Sequence, residues 1–320
     1  MGVKSESEVT DWLFQGSFLI LSYLSASSLV SQLPSPAPSF SCSCLLLKRT
    51  SSTLSSSSNM NHPDHPPSRI KMVNYTIVPG AEVSDEMMTN AAVLFRENYG
   101  KWGAQSPKQG QPVALSASRL RAQYLPPSAD TVYVMVTVNG ELAGNAFACR
   151  WNVGETRVCW ITQLVVSKEH RQGGLAEGLL NCLREQSDDI YGIMSSHPAA
   201  CLAAAKAFFE KISIDFMQQH AREVMQVSPI SYISSAELHG SLFDSSTESG
   251  LVSGVNTHFF VDHAEPLEAL EQVKARWHWP LGELEEGHEF LMILRARLHC
   301  SSRRAKKNLA RDEVPRGSHS

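Results

Sequence analysis

The stretch Trp160-Ile161-Thr162-Gln163-Leu164-Val165-Val166, running on through Ser167-Lys168-Glu169-His170-Arg171-Gln172-Gly173-Gly174-Leu175-Ala176 into Glu177-Gly178-Leu179-Leu180-Asn181-Cys182-Leu183, decides how this chain is read. Its first part is an apolar strand. Its last part carries Leu175, Leu179 and Leu183 at every fourth position, the stripe of a helix that buries one face. The loop between them is rich in small residues. Backbone N–H groups in the first turn of a helix lack intrahelical partners and carry the positive end of the helix dipole, so this junction is a cradle for an anion. Gly173, Gly174 and Ala176 leave room for a phosphate to approach it.

Which phosphate ligand is meant follows by exclusion. A nucleoside-triphosphate loop needs Gly-Lys-Ser/Thr at the helix start, and here Leu175 and Ala176 follow Gly174. A dinucleotide fingerprint needs G-x-G-x-x-G, and Gly173, Gly174 and Gly178 have the wrong spacing. What remains is Arg171-x-x-Gly174-x-Ala176. This resembles the R/Q-x-x-G-x-G/A loop of the GNAT superfamily of acyl-CoA N-acyltransferases, where the loop binds the pyrophosphate of coenzyme A.

The flanks carry the same order of elements. Thr131 to Val138 alternates as a strand, Asn139-Gly140 is a strong hairpin turn, and Glu141 to Trp151 is the return strand. A turn at Asn152 to Thr156 leads into the strand ending at Val166. After the loop helix come a strand, Ile190 to Ser195, and an Ala-rich helix from about Pro198 to Lys211. Upstream, Tyr75 to Val78 reads as the first strand and Ser84 to Tyr99 as the first helix, with Ser84 as N-cap. Downstream, Ile214 to Met225 is expected to extend the fourth helix, and Ser228 to Gly254 reads as a polar insertion. Strand Val255 to Asp262, helix Glu265 to Trp277 and strand Glu289 to Arg297 then close the pattern. The fold class expected is α/β (α+β): a mixed, mostly antiparallel sheet flanked by helices, with the phosphate loop between the fourth strand and the third helix.

Composition sets the domain limits. Residues 1–71 are dominated by Ser and Pro, cannot support a packed core, and read as a disordered tail or an extension upstream of a natural start at Met72. Residues 72–299 are expected to form the acyltransferase domain, with an insertion at about 213–254, and 300–320 a disordered basic tail. The apolar run Phe18 to Leu24 follows Glu6, Glu8 and Asp11 rather than a basic leader, and it is too short to span a bilayer. A net charge of −4 argues against nucleic acid as a partner. Seven cysteines without a C-x-x-C pair read as free thiols of a reducing, cytoplasmic compartment, although targeting by the N-terminal tail stays open. His258 and His263, five apart in the expected strand, fall on opposite faces, so no metal is expected.

The resemblance implies acetyl-CoA as donor, a small-molecule amine as acceptor, and a coenzyme A contact set of Leu164, Val165, Val166, Arg171, Gln172, Gly173, Gly174, Leu175, Ala176 and Phe209. An alkylammonium with a pKa near 10.4 costs about 4 to 5 kcal/mol to deprotonate at pH 7, so a base would help. Each backbone N–H aimed at the developing thioester oxyanion is worth about 3 kcal/mol. By resemblance these donors map to Leu164 and Val166. Where many family members carry a glutamate base on this strand, the chain has Thr162 beside Gln163. Where many carry a tyrosine acid in the fourth helix, it has Phe209. His197, at the strand end entering that helix, is the best substitute base or relay; the other reading is a helix-start histidine bonded only to backbone or solvent. Two function classes therefore stand: an N-acetyltransferase, and a non-catalytic acyl-CoA-binding or sensing protein. Glu283, Glu285 and Glu286 would suit a cationic amine, and Trp102 would cap an apolar one.

Overall fold

The computed structural model describes residues 71–208, 211–246 and 248–296. The Ser-rich and basic tails and Phe209 lie outside the described residues. The elements run β1 (Val73–Pro79), α1 (Asp85–Asn98), α2 (Ala117–Tyr124), β2 (Asp130–Val138), β3 (Glu141–Val153), β4 (Thr156–Val166), α3 (Leu175–Cys182), β5 (Ile190–Ser195), α4 (Pro198–Ala207), α5 (Ile214–Gln226), α6 (Ser231–Ser234), β6 (Glu237–His239), β7 (Gly254–Asn256), α7 (Ala264–Lys274) and β8 (His288–Arg295).

One sheet of eight strands, in the order β1-β2-β3-β4-β5-β8-β7-β6, organises them. Only β4 and β5 pair in parallel; every other neighbouring pair is antiparallel. Asn139 and Gly140, with φ of 54° and 92°, make the tight turn between β2 and β3. Ser84, Ser116 and Ser213 each accept an N–H two or three residues into a following helix, at 3.2 to 3.3 Å, and so fix where α1, α2 and α5 begin.

Alternation along the strands divides the core between two faces. Val134, Val136, Ala146 and Ala148 face α3, α4 and α5, whereas Tyr133, Phe147 and Val165 face α1 and α2. Trp160 is fully buried in the first cluster and stacks on Trp151 with ring centroids 5.8 Å apart. Gly192 on the neighbouring strand is required by it, since a Cβ there would lie 2.2 Å from the indole.

Three expectations are corrected. Strand β7 ends at Asn256 rather than Asp262, because His258 takes a left-handed φ of 51° that an extended strand cannot accommodate. Phe259 and Val261 then leave the sheet and pack with α1 and α2, so His258 and His263 do not share a strand. Helix α5 is separate from α4: residues 211–213 are not helical, and Ser213 caps a new start. The segment read as an insertion also holds α6 and strand β6, which lengthens the sheet by one edge strand. Among the described residues no helix is long and apolar enough to cross a membrane.

Candidate functional site

The sheet opens at its middle. Strands β4 and β5 pair only from Val158↔Ile190 to Ile161↔Ile193. A register shift between Phe147 and Ala148 leaves Thr162 as an extra residue on β4, a bulge that bends the strand away from β5. Beyond it, Ser167 N–H donates to Ala143 O at 2.8 Å. Because inward- and outward-facing backbone groups alternate along an antiparallel pair, Gln163 and Val165 face β3 and the amides of Leu164 and Val166 turn to the open edge.

That edge runs into the loop. Lys168–His170 form a single 3-10 turn, and Gln172 (φ 61°) and Gly174 (φ 79°) are both left-handed. Gly174 is the N-cap of α3 and offers no side-chain cap, and the first bond of the helix runs from Gly178 N–H to Gly174 O at 3.0 Å. The amides of Leu175, Ala176 and Glu177 therefore have no partner within the helix. A Cβ at Gly174 would meet nothing within 4 Å, and one at Gly173 only His170 O at 3.3 Å, so the space before these amides is open. The cradle fits a pyrophosphate. Leu175 reaches it through its N–H alone, since its side chain is buried in the core.

Arg171 and His197 are held elsewhere. The Arg171 guanidinium donates to Asn98 O at 2.6 Å and pairs with the Glu265 carboxylate, bracing the loop against the ends of α1 and α7. His197 caps α4: its Nδ1 accepts from Ala199 N–H at 3.2 Å, and its Nε2 lies 3.7 Å from Glu265 Oε1. Burial lowers its pKa, Glu265 pulls the other way, and Arg171 adds to the lowering. In the neutral ring with Nδ1 as acceptor, the proton sits on Nε2 and no lone pair is free for a substrate.

The face toward α1 and α2 holds what the sequence did not single out. Glu289 on β8, next in line after the Ser195↔Phe290 pair, turns away from the Phe290 side. Burial pushes its carboxyl up to about 7, against the pull of the Thr257 hydroxyl. Its charge is felt by Tyr99, Tyr124 and Tyr232, whose phenols burial keeps neutral. Tyr232 Oη donates to Thr162 O at 3.0 Å and so reaches the parted end of β4. Among the described residues, Thr162 Oγ1 and Asn145 Oδ1 are buried there without a hydrogen-bond partner. Such groups are rare in folded interiors and collect at sites that await a ligand. Phe95, Tyr99, Phe259 and Trp102 continue the wall, Trp102 edge-on to Phe259 at 5.2 Å.

Residues 99–213 match the model of the Acetyltransferase (GNAT) family. Over these residues the chain is similar to that family. No curated protein matches the chain. Among solved structures, it is similar to an aminoglycoside acetyltransferase from an uncultured soil metagenomic sample, at 20% identity, covering 35% of this chain and 69% of the other with a TM-score of 0.26. It is also similar to the ribosomal-protein-S18-alanine N-acetyltransferase of Escherichia coli, at 15% identity, 43% and 79% coverage and a TM-score of 0.30. A third is an aminoglycoside 6'-N-acetyltransferase complexed with coenzyme A, at 15% identity, 37% and 61% coverage and a TM-score of 0.27.

The matched segment contains β4, the loop and α3. Tyr232, Thr257 and Glu289 come from beyond it. The only signal for Glu289 in the sequence is one carboxylate at the head of the apolar run Phe290 to Leu294. The acidic turn is partly neutralised: Glu283 lies 2.6 Å from Lys274 Nζ, and Glu286 bonds Gln105. Glu285 instead joins His239 and His288, and ligand-type atoms of these three lie within 4.8 Å of one another, a grouping that histidine spacing did not reveal.

Proposed function

We propose that this protein moves an acetyl group from acetyl-CoA to the primary amine of a small molecule by direct attack on the thioester. One observation carries the reading: the outward amides of Leu164 and Val166 lead along one open edge to the uncapped start of α3. A pyrophosphate held by the amides of Gly173 to Ala176 would lay the pantetheine arm along that edge. The thioester oxygen would then meet the Leu164 N–H as negative charge develops, worth about 3 kcal/mol per donor.

The amine would enter from the tyrosine-lined face. Its lone pair forms the C–N bond, its proton passes to the Glu289 carboxylate, and the C–S bond breaks with the electron pair leaving on sulfur. Solvent supplies the thiolate's proton. Holding the two reactants together would contribute much of the remaining rate. In this reading Glu289 takes the role expected of His197, which caps α4, while Glu265 holds Arg171 until a diphosphate enters. Segment 213–254 contributes Tyr232 to the acceptor wall of one domain spanning 72–299. Cys149, Cys159 and Cys201 are buried free thiols, as a cytoplasmic enzyme would keep them.

Binding without turnover is the second reading, and Thr162 in place of a carboxylate on β4 is what favours it. Titration of acetyl-CoA into the full chain and into Gly174→Asp, followed by a thiol-release screen over small amines, separates the two. Asp tolerates the left-handed backbone while placing charge and bulk before the cradle. Binding lost in the variant together with amine-dependent thiol release supports transfer; binding without release with any amine supports the second reading. No binding to the unaltered chain overturns both.

A further inference from the structure

On the other face of β8 from Glu289, His239, Glu285 and His288 converge from separate parts of the chain. Gly287, at φ 74°, turns the backbone so that Glu285 and His288 share one side, and His288 N–H bonds Glu285 O at 3.2 Å. Gly287 is further required by Phe260, whose ring would lie 2.8 Å from an added Cβ. His239 reaches them from β6 across Gly254, the residue paired with it on one side and with Phe290 on the other. The two imidazoles lie with centroids 4.5 Å apart, and His239 Nε2 is 3.6 Å from Glu285 Oε2.

The ring of His288 is oriented in a telling way. Its Nδ1 sits 2.9 Å from the carbonyl oxygen of Glu286, an acceptor only, so Nδ1 carries the proton and donates. The lone pair is thereby left on Nε2. That Nε2 and Glu285 Oε1 are both buried without a hydrogen-bond partner among the described residues. A histidine with one nitrogen fixed by a carbonyl and the other unpartnered, grouped with a carboxylate and another imidazole whose ligand-type atoms lie within 4.8 Å, is the arrangement that metal centres use.

We propose that His239, Glu285 and His288 bind a divalent d-block cation of the zinc type, with solvent completing the coordination. Two imidazoles and a carboxylate suit zinc, whereas calcium and magnesium favour oxygen-only sets. Ligand atoms around a tetrahedral zinc stand roughly 3.4 Å apart, given metal–ligand bonds of about 2.0 to 2.2 Å. The trio is within 4.8 Å throughout, so small side-chain rotations close it. The ion would fasten β6, an edge strand of three residues, to the turn that leads into β8. None of these contacts involves the phosphate loop.

The test is zinc titration of the full chain, freed of metal by a chelator, against a chromophoric competitor. His239→Gln and Glu285→Gln are run beside it, with circular dichroism to confirm folding and His263→Gln as a control outside the trio. One zinc per chain, lost in both trio variants and kept in the control, with an X-ray absorption spectrum of nitrogen and oxygen ligands, is the expected result. No binding, an equivalent that survives both variants, or a sulfur shell overturns the site.

Discussion

The guanidinium of Arg171 and the carboxylate of Glu265 pair across the mouth of the phosphate loop, and Glu265 Oε1 is at the same time 3.7 Å from His197 Nε2. One carboxylate thus holds the loop arginine away from the cradle that a diphosphate would enter. Glu265→Gln should release Arg171 toward an incoming phosphate. Since both side chains are partly exposed, the gain is limited to about 1 kcal/mol, up to about 5-fold in Kd. Calorimetric titration with acetyl-CoA checks this, and weaker binding in the variant would show that the pair organises the loop instead of restraining it.

His197 gives a pH signature. Its folded pKa lies below the ordinary value of 6.5, so the folded chain binds fewer protons than the unfolded one as pH falls through that region. Its contribution is therefore complete above about pH 6.5 and is lost as pH drops toward the folded pKa. Asn can cap α4 without titrating. Melting temperatures from pH 7.5 to pH 5 should fall more for the unaltered protein than for His197→Asn. Parallel curves would sink the assignment.

Glu289→Gln tests the proton acceptor. It keeps the size of the side chain and removes its basicity, so kcat should fall about 10²- to 10⁴-fold, with acetyl-CoA affinity unchanged. His197→Ala should lose far less. If His197→Ala abolished turnover and Glu289→Gln did not, the two roles would be exchanged.

What the sequence made legible is what neighbours along the chain decide. Asn139-Gly140 needs only its own two left-handed residues to make a hairpin, Ser84 caps a helix that starts beside it, and the amides before Leu175 belong to one short loop. His258 and Glu289 are different. The strand-like run after Gly254 gives no hint that His258 turns left-handed, because Phe259 and Val261 are drawn off by α1 and α2, far away in sequence. Glu289 becomes a site residue only through Tyr99, Tyr124 and Tyr232, from three separate segments. His239 and His288 likewise meet only because β8 and β6 flank β7.

Arg150 offers the sharpest stability prediction. Its side chain is almost wholly buried, its Nε lies 3.1 Å from the fully buried Asp188 Oδ1, and it also donates to Leu183 O at 2.5 Å. It thus ties β3 to the lead-in of β5 and to the end of α3. Removing Asp188 leaves the buried Arg150 with the half-exposed Glu185, 3.2 Å away, as its remaining carboxylate partner, so Asp188→Ala should cost about 3 kcal/mol in urea unfolding. The pair itself is worth much less, because bringing both ions out of water offsets most of their attraction. Arg150→Met combined with Asp188→Leu should therefore be less destabilised than Asp188→Ala alone. The same double variant leaves Leu183 O without its donor and slackens the helix whose first turn forms the cradle, so acetyl-CoA should bind more weakly even where stability is recovered. Full affinity in a stable double variant would show that α3 is held by its apolar face alone.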